Sequence, residues 1–225
     1  MQSKICLLKC ENYDEEKVEE VVRESIRLLG GIRSFICPGD RVLLKVNLLS
    51  AHPPERAVTT HPALVKAVVR VVKDAGAKPF IGDSCGVAYR KEDAMMVWEK
   101  TGIARVAREE KVEIVNFQKA KKVKNPRGKP PFLYIAKEAM EADAVFSLPK
   151  LKTHTLTLFT GAIKNMYGTV PGFWKKDLHA RFPRPRDFAK VVVDLFSLVF
   201  PKLSIMDGIL GMEGKGPSAG SPRKI

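Results

Sequence analysis

Polar residues of the kinds that bind or transform ligands stand at the ends of several apolar runs, which we interpret as strands. In an open α/β sheet, ligands bind beyond the carboxyl ends of the strands, where loops lead into helices. Because four separate strand ends carry such residues together with glycines, we expect them to meet in one cleft. The residues predicted to surround this cleft are Lys45, Asn47, Asp83, Lys150, Lys152, His154 and Asp207.

The lysines in this set favour an anionic ligand. Lys150 and Lys152 are separated by one apolar residue, so both point to the same side of an extended chain. Two neighbouring ammonium groups repel each other unless an anion lies between them. The segment Thr153–Thr157 is predicted to cap a following helix, whose free N–H groups would favour a phosphate or a carboxylate. We therefore predict that the substrate is bound by Lys45, Asn47, Lys150, Lys152, Lys164 and Asn165.

The carboxylates allow interpretations that the sequence does not separate. Asp83 precedes Ser84 after a strand, which suits either a turn residue or a group that binds a ribose, a metal or a proton. Asp207 is similar, and Glu213 with His154 could complete a divalent metal site, although the spacing is not diagnostic. As catalytic candidates we name Asp83 and Asp207, which would orient or deprotonate the substrate, and His154, which would serve as acid–base group or ligand.

Strand and helix signals alternate along the 225 residues, which predicts an α/β fold with a mostly parallel sheet and helices on both faces. We interpret residues 1–225 as one domain, and the Gly-, Pro- and Ser-rich stretch 208–225 indicates a fold that is incomplete at its C-terminus. The basic stretch 119–131 is predicted as a hairpin or an exposed insertion. Strands are predicted at 4–9, 41–48, 78–81, 112–117, 144–148 and 203–206, and helices at 14–29, 61–75, 92–110 (with a break near Thr101 and Gly102), 156–167 and 187–199.

Several common signatures are absent from the sequence. It contains no dinucleotide-binding glycine fingerprint, no phosphate-binding P-loop and no nucleophile elbow. Its cysteines, Cys6, Cys10, Cys37 and Cys85, lack the spacing of zinc or iron–sulfur ligands, so we interpret them as reduced thiols in the cytoplasm. Because no apolar stretch approaches membrane-spanning length, we expect no membrane partner.

The formal net charge of +14 favours acidic partners. In our preferred hypothesis the chain binds a small anionic molecule in the strand-end cleft and, if it is an enzyme, transforms it. In the alternative it binds nucleic acid through the basic stretches Lys119–Lys129 and Arg181–Arg186. We prefer the first because no aromatic RNA-binding motif is present and aromatic residues make up only 8% of the chain. Enzyme activity and oligomeric state do not follow from the sequence.

The same motifs resemble a known family. The segments Val42–Asn47, Thr59–Pro62, Ser147–His154, Thr160–Asn165 and Asp207–Pro217 are together similar to the domain-of-unknown-function 362 family. Members of that family are often described as iron–sulfur centre proteins, and many carry a ferredoxin-like module with clustered cysteines after this domain. The resemblance implies redox chemistry in those fuller members. Because this sequence has no such module, we expect no cofactor in this chain and a 4Fe–4S cluster only in the fuller members.

Overall fold

The structure, a computed structural model, describes residues 4–85 and 91–225. Short 3₁₀ helices lie at Ile32–Ser34, Pro54–Arg56 and Met166–Thr169. The α-helices are α1 (Glu15–Leu28), α2 (Pro62–Asp74), α3 (Lys91–Lys100), α4 (Ile103–Glu109), α5 (Lys137–Glu141), α6 (Ala162–Asn165), α7 (Gly172–Arg181) and α8 (Pro185–Leu198). The strands are β1 (Arg41–Val46), β2 (Lys78–Asp83), β3 (Glu113–Asn116), β4 (Ala120–Lys124), β5 (Phe132–Ala136), β6 (Ala144–Leu148), β7 (Lys150–His154), β8 (Leu158–Thr160), β9 (Leu203–Ser204), β10 (Asp207–Glu213) and β11 (Ser221–Lys224).

The central sheet has five parallel strands in the order β3-β2-β1-β6-β9. Its middle strand β1 pairs with β2 through Leu43 and Phe80, and with β6 through Leu43 and Val145. All of β1 after Arg41 is buried, as expected for a parallel strand that is covered on both faces. The carboxyl ends of β1, β2 and β6 therefore lie side by side.

Helices cover both faces of this sheet. Leu44 packs in one hydrophobic cluster with Val65 of α2 and Trp98 of α3. The adjacent Leu43 packs in a second cluster with Phe188 of α8. Since neighbouring residues of a strand point to opposite faces, the two clusters lie on opposite sides of the sheet. The predicted α/β fold with helices on both faces is confirmed.

The local sequence explains why α2 begins where it does. Pro62 is the first helical residue, where its missing N–H group costs nothing. His61 precedes it, and its Nδ1 atom accepts a hydrogen bond from the Ala63 N–H group at 3.2 Å. The buried residues Val65, Val68 and those that follow at helical spacing hold α2 against the sheet.

A second, four-stranded sheet with the order β11-β10-β7-β8 continues from the central one. Strand β7 starts directly after Pro149 at the end of β6. It pairs with β8 in an antiparallel hairpin in which Lys152 lies opposite Thr160. On its other side it runs parallel to β10, with Asp207 opposite Lys150 and an irregularity before the next pair. This sheet brings the lysines of β7 beside the end of the central sheet.

Two sequence predictions of secondary structure were wrong. Residues 4–9 form no strand, since Ile5 and Leu7 are about nine-tenths exposed and no described strand pairs with this segment. Residues 156–167 form β8, α6 and a 3₁₀ turn instead of one helix, because Leu158 has a positive φ of 64° and stays exposed. The stretch 208–225 contains most of β10 and all of β11.

The stretch 119–131 belongs to the β4–β5 hairpin, one of its two predicted forms. Helix α7 was not predicted at all. In the part of the chain that the structure describes, no helix is long and apolar enough to cross a bilayer.

Candidate functional site

A cavity of about 190 Å³ lies at the carboxyl ends of β1 and β2, between the β7–β8 hairpin and helix α7. Leu43 and Lys45 are two residues apart on β1, so their side chains point to the same face of the sheet. The cavity lies on that face. Polar and charged side chains dominate its walls. The lining residues are Lys45, Asn47, Leu48, Leu49, Asp83, Lys152, His154, Thr160, Lys164, Asn165, Tyr167, Gly168, Gly172, Lys175, Lys176, His179 and Pro217.

Lys45 and Asp83 form a buried ion pair in one wall of the cavity, with 3.0 Å between Nζ and Oδ2. The Leu48 N–H group also donates to Oδ2 at 2.8 Å, and the Ser84 N–H group donates to Oδ1 at 2.6 Å. Burial lowers the pKa of Lys45, and the Asp83 carboxylate opposes that shift. Because both oxygens of Asp83 are occupied, the geometry suits a group that holds Lys45 better than a free base.

Gly168 covers this ion pair. A Cβ atom at position 168 would lie 2.6 Å from Cε of Lys45 and 2.5 Å from Oδ1 of Asp83. Contacts that short do not occur between real side chains, so only glycine lets the backbone approach the pair so closely. The 3₁₀ turn at 166–169 therefore closes this part of the cavity.

Three of the other lysines that line the cavity, Lys152, Lys164 and Lys175, form no salt bridge in residues 4–85 and 91–225. Lys152 Nζ donates to the Val58 carbonyl oxygen at 2.5 Å. Lys164 Nζ lies 4.7 Å from the ring centre of Tyr167, and Lys175 Nζ donates to the Ser84 carbonyl oxygen. Each ammonium group is thus held by carbonyl or ring electrons rather than by an opposite charge.

The pKa values of these lysines are lowered by burial and by one another. Burial, followed by the charges of Lys164 and Lys150, lowers the pKa of Lys152 from 10.5 to about 7. Burial and the charge of Lys175 lower the pKa of Lys164 to about 8. For Lys175 burial is again the main cause and brings the pKa to about 8, although Asp83 partly opposes it. The cavity is therefore electropositive and destabilises its own ammonium groups.

His154 contributes a neutral imidazole. Its Nδ1 atom accepts hydrogen bonds from the Leu156 and Thr157 N–H groups at 3.1 and 3.3 Å. Burial, with the charges of Lys164 and Lys152, lowers its pKa to about 4. Since Nδ1 acts as the acceptor, we assign the ring proton to Nε2, which leaves this nitrogen as a hydrogen-bond donor.

Three oxygens on the lining residues have no hydrogen-bond partner among the residues that the structure describes: Asn47 Oδ1, Thr160 Oγ1 and Asn165 Oδ1. The orientation of Asn165 is fixed, because its Nδ2 atom donates to the Lys45 carbonyl oxygen and to Ser147 Oγ, both at 3.0 Å. Buried polar atoms without partners are uncommon in folded proteins. Their concentration here indicates a place built for polar contacts.

Lys150 and Asp207 lie elsewhere. Their side chains are fully buried and form an ion pair of 2.9 Å, and Tyr13 Oη donates to Asp207 Oδ1 at 2.6 Å. Tyr13 also accepts a hydrogen bond from Lys150 at 2.8 Å and stacks on the His61 ring.

Of the seven residues expected around one cleft, the structure brings together Lys45, Asn47, Asp83, Lys152 and His154. Lys164 and Asn165, which were also predicted to bind the substrate, line the same cavity.

The candidate metal ligands are not brought together either. Asp207 is engaged by Lys150 and Tyr13, whereas the exposed Glu213 pairs with Arg223 at 2.5 Å. Throughout the described part of the chain, no three His, Cys, Asp or Glu side chains lie close enough to hold a metal ion.

The cysteines do not fit an iron–sulfur cluster, because all four are separate free thiols. Burial also raises the pKa of the Cys85 thiol to about 12.

Sequence reasoning missed the contribution of α7. Lys175 and His179 stand four residues apart, which places both on one face of a helix. That spacing was the available signal, but α7 has only one buried apolar residue, Leu178, and so lacks the apolar period that predicts a helix. Gly168 carried no signal in the sequence, and Thr160 stood out only as the first residue of the family motif Thr160–Asn165.

The fold is similar to that of a solved enzyme. The lactate racemase apoprotein from Thermoanaerobacterium thermosaccharolyticum superposes with a TM-score of 0.53 at 16% identity. The match covers 94% of this chain and 52% of the racemase chain, so the chain spans about half of that protein's length. At this identity the likeness shows the α/β fold alone.

The sequence comparisons are closer. A thylakoid-associated protein of Synechocystis sp. is 36% identical over 226 residues, which cover all of this chain and 69% of that protein. Residues 42–225 match the model of a domain of unknown function, DUF362. This match includes the cavity lysines of β1, β7, α6 and α7 and agrees with the resemblance of the sequence motifs. The chain therefore belongs to the DUF362 family.

Proposed function

We propose that this domain binds a small molecule with a phosphate or carboxylate group in the cavity. The observation that carries the proposal is the grouping of Lys152, Lys164 and Lys175 around one cavity without a carboxylate against any of them among the described residues. Among the described lining side chains the single carboxylate is that of Asp83, which Lys45 already occupies, so it does not neutralise Lys152, Lys164 and Lys175. The excess positive charge needs a counter-charge, and a bound anion supplies it.

The energetic argument follows from desolvation. Ammonium groups that are crowded and partly removed from water lose free energy of hydration and repel one another, which is why their pKa values fall. An anion bound among them offsets both effects in part, and burial, the largest cause of the shift of Lys152, still holds its pKa below the ordinary value. Each charge-assisted hydrogen bond contributes about 1.5–3 kcal/mol, which corresponds to roughly ten- to a hundredfold in affinity.

The other wall groups suit the same ligand. Neutral His154 offers its Nε2–H group to an anion's oxygen, and the free oxygen atoms of Asn47, Thr160 and Asn165 accept from hydroxyl or amino groups. The racemase that shares the fold is named for lactate, a small carboxylate. That name describes the racemase, and the proposal for this chain depends on its own lysines. The redox link of fuller family members remains a prediction and enters no step here.

Calorimetric titration with inorganic phosphate tests the proposal. Saturable binding to the wild-type chain is expected, with a loss of roughly tenfold or more in affinity in the Lys164→Met and Lys175→Met variants. The matched control is the Lys121→Met, Lys122→Met, Lys124→Met triple variant, which removes charge from the β4 strand and should keep the wild-type affinity.

The alternative function uses the same set of variants. Binding of a duplex oligonucleotide that weakens steeply with salt and depends on the β4 lysines, together with no saturable phosphate binding, would contradict the proposal.

A cytoplasmic location is likewise a prediction. The Synechocystis relative is named for association with thylakoids, and fractionation of cells that produce this chain would show the compartment.

A further inference from the structure

Lys152 differs from the other buried lysines in its partner. Lys45 contacts Asp83 and Lys150 contacts Asp207, at 3.0 and 2.9 Å respectively. A carboxylate at that distance keeps an amine protonated and therefore unreactive, because the proton occupies its lone pair. Within the described residues, Lys152 Nζ contacts only a carbonyl oxygen, that of Val58. A neutral amine can still donate this hydrogen bond, so the contact leaves the lone pair available.

The surroundings of Lys152 suit a reaction with a carbonyl group. The side chain is only 2% exposed, yet it lines the cavity together with Thr160, which lies opposite it in the β7–β8 hairpin. Thr160 Oγ1 is buried and has no hydrogen-bond partner in the described part of the chain. His154, two residues along the same strand, presents a neutral Nε2–H donor that can polarise a carbonyl oxygen. Lys164 and Lys175 remain to bind an anionic group on the same molecule.

We propose that Lys152 forms an imine with an aldehyde or ketone that carries the anionic group bound in this cavity. This inference rests on the proposed anion binding. The Nζ lone pair attacks the carbonyl carbon and a C–N bond forms. The carbonyl oxygen then takes the two amine protons and leaves as water, so a C=N bond replaces the C=O bond. The step consumes no oxidant or reductant.

The lowered pKa of Lys152, about 7, supports this assignment. Near neutral pH a large fraction of such an amine is unprotonated, whereas an ordinary exposed lysine is almost entirely an ammonium ion. Burial away from water also disfavours the return of water to the imine. The chemistry and the geometry therefore select the same residue.

Reductive trapping tests the inference. The wild-type chain is incubated with glyoxylate and sodium cyanoborohydride at about pH 7, and the adduct is located by peptide mass mapping. The expected product is one modified site at Lys152, formed on the order of a hundredfold faster than at exposed lysines. Inorganic phosphate should compete with the labelling, and acetaldehyde, which lacks an anionic group, should label Lys152 far more slowly.

The variants separate this inference from the anion-binding proposal. In Lys152→Met the specific adduct should vanish, and in Lys164→Met labelling and phosphate affinity should fall together. The Lys122→Met variant is the control and should label like the wild type; its circular dichroism spectrum and that of Lys152→Met should match the wild type. Intact phosphate binding with labelling that is uniform over surface lysines would overturn the imine alone. Absence of phosphate binding, with labelling of Lys152 insensitive to phosphate, would overturn the anion proposal instead.

Discussion

Lys45 Nζ and Asp83 Oδ2 lie 3.0 Å apart between neighbouring parallel strands, and both side chains are almost fully buried. The pair is held in place by strand register, since Lys45 lies opposite Gly82, the residue before Asp83. Gly168 packs directly over it. The electropositive cavity is thus built beside a neutralised lysine, whereas Lys152, Lys164 and Lys175 lack such a partner within the described structure.

Removal of one charge from this pair should destabilise the protein. Asp83→Asn leaves the Lys45 ammonium buried without its counter-charge, which is expected to lower the free energy of unfolding by about 3–5 kcal/mol. Urea denaturation measures the change. The double variant Lys45→Met, Asp83→Asn should recover part of the loss because it removes both charges. If the loss in the double variant equalled the sum of the losses in Asp83→Asn and Lys45→Met, the two residues would not be coupled.

Lys150 should matter for stability and not for anion affinity. It is buried against Asp207 and Tyr13, away from the cavity. Lys150→Met is therefore expected to lower the free energy of unfolding by about 3–5 kcal/mol, while affinity for sulfate stays within roughly threefold of wild type because Asp207 already neutralises the Lys150 charge and the side chain does not line the cavity. Calorimetry on the folded variant is the measurement. A loss of affinity as large as that of Lys164→Met would place Lys150 in the binding site.

Tyr13 explains why the sequence alone could not locate Lys150. Its hydroxyl group joins Lys150 and Asp207 across 137 and 194 residues of sequence respectively. Strand-end reasoning predicted that polar residues following β1, β2 and β6 converge, since these parallel strands share one carboxyl edge, and Lys45, Asn47, Asp83, Lys152 and His154 do line one cavity. It could not predict which lysine finds a carboxylate, because that depends on the register of β10 against β7 and on the N-terminal segment.

The fold was predictable where apolar periodicity coincides with burial. The buried runs of β1 and β6 and the apolar face of α2 are such places. Prediction failed where burial depends on distant partners. Ile5 and Leu7 are apolar but exposed, and β10 contains two glycines that pack closely on Leu151 of β7. A single sequence contains no signal for these pairings.

Anaerobic reconstitution of the purified chain with iron and sulfide should yield no stoichiometric cluster. Cys6 and Cys10 lie in the N-terminal segment, Cys37 precedes β1 and Cys85 is buried after β2. A four-iron cluster needs four thiolates within bonding reach, and the described residues contain no such group. Iron and sulfide analysis with visible absorption measures the outcome. Loading of four irons per chain would contradict the assignment of these cysteines as separate thiols.

The anion-free protein should become more stable as the pH rises. Lys152, Lys164 and Lys175 have folded-state pKa values of about 7, 8 and 8, below the ordinary value of 10.5. Between these pKa values and 10.5 the unfolded chain binds more protons than the folded one, so the free energy of unfolding increases with pH. This added stability is lost as the pH falls through the folded-state pKa values. Urea denaturation at about pH 6.5 and about pH 8.5 should show the rise. Lys164→Met should show a smaller rise, and an identical slope in both proteins would refute this origin.

The affinity for an anion should change in the opposite direction. Sulfate keeps its double charge over the whole range, so any pH dependence of its binding reports the protein. Between about pH 6.5 and about pH 8.5 the three cavity lysines lose protons, and sulfate affinity is expected to fall on the order of tenfold. In Lys175→Met the affinity should be lower at both pH values and its pH dependence weaker, whereas the triple variant of Lys121, Lys122 and Lys124 should reproduce the wild-type curve. Proton uptake on binding, measured by calorimetry in two buffers of different ionisation enthalpy, should accompany the wild-type reaction near pH 8. Sulfate binding without proton uptake and without pH dependence would mean that these lysines stay charged in the free protein, and that their grouping does not drive the binding.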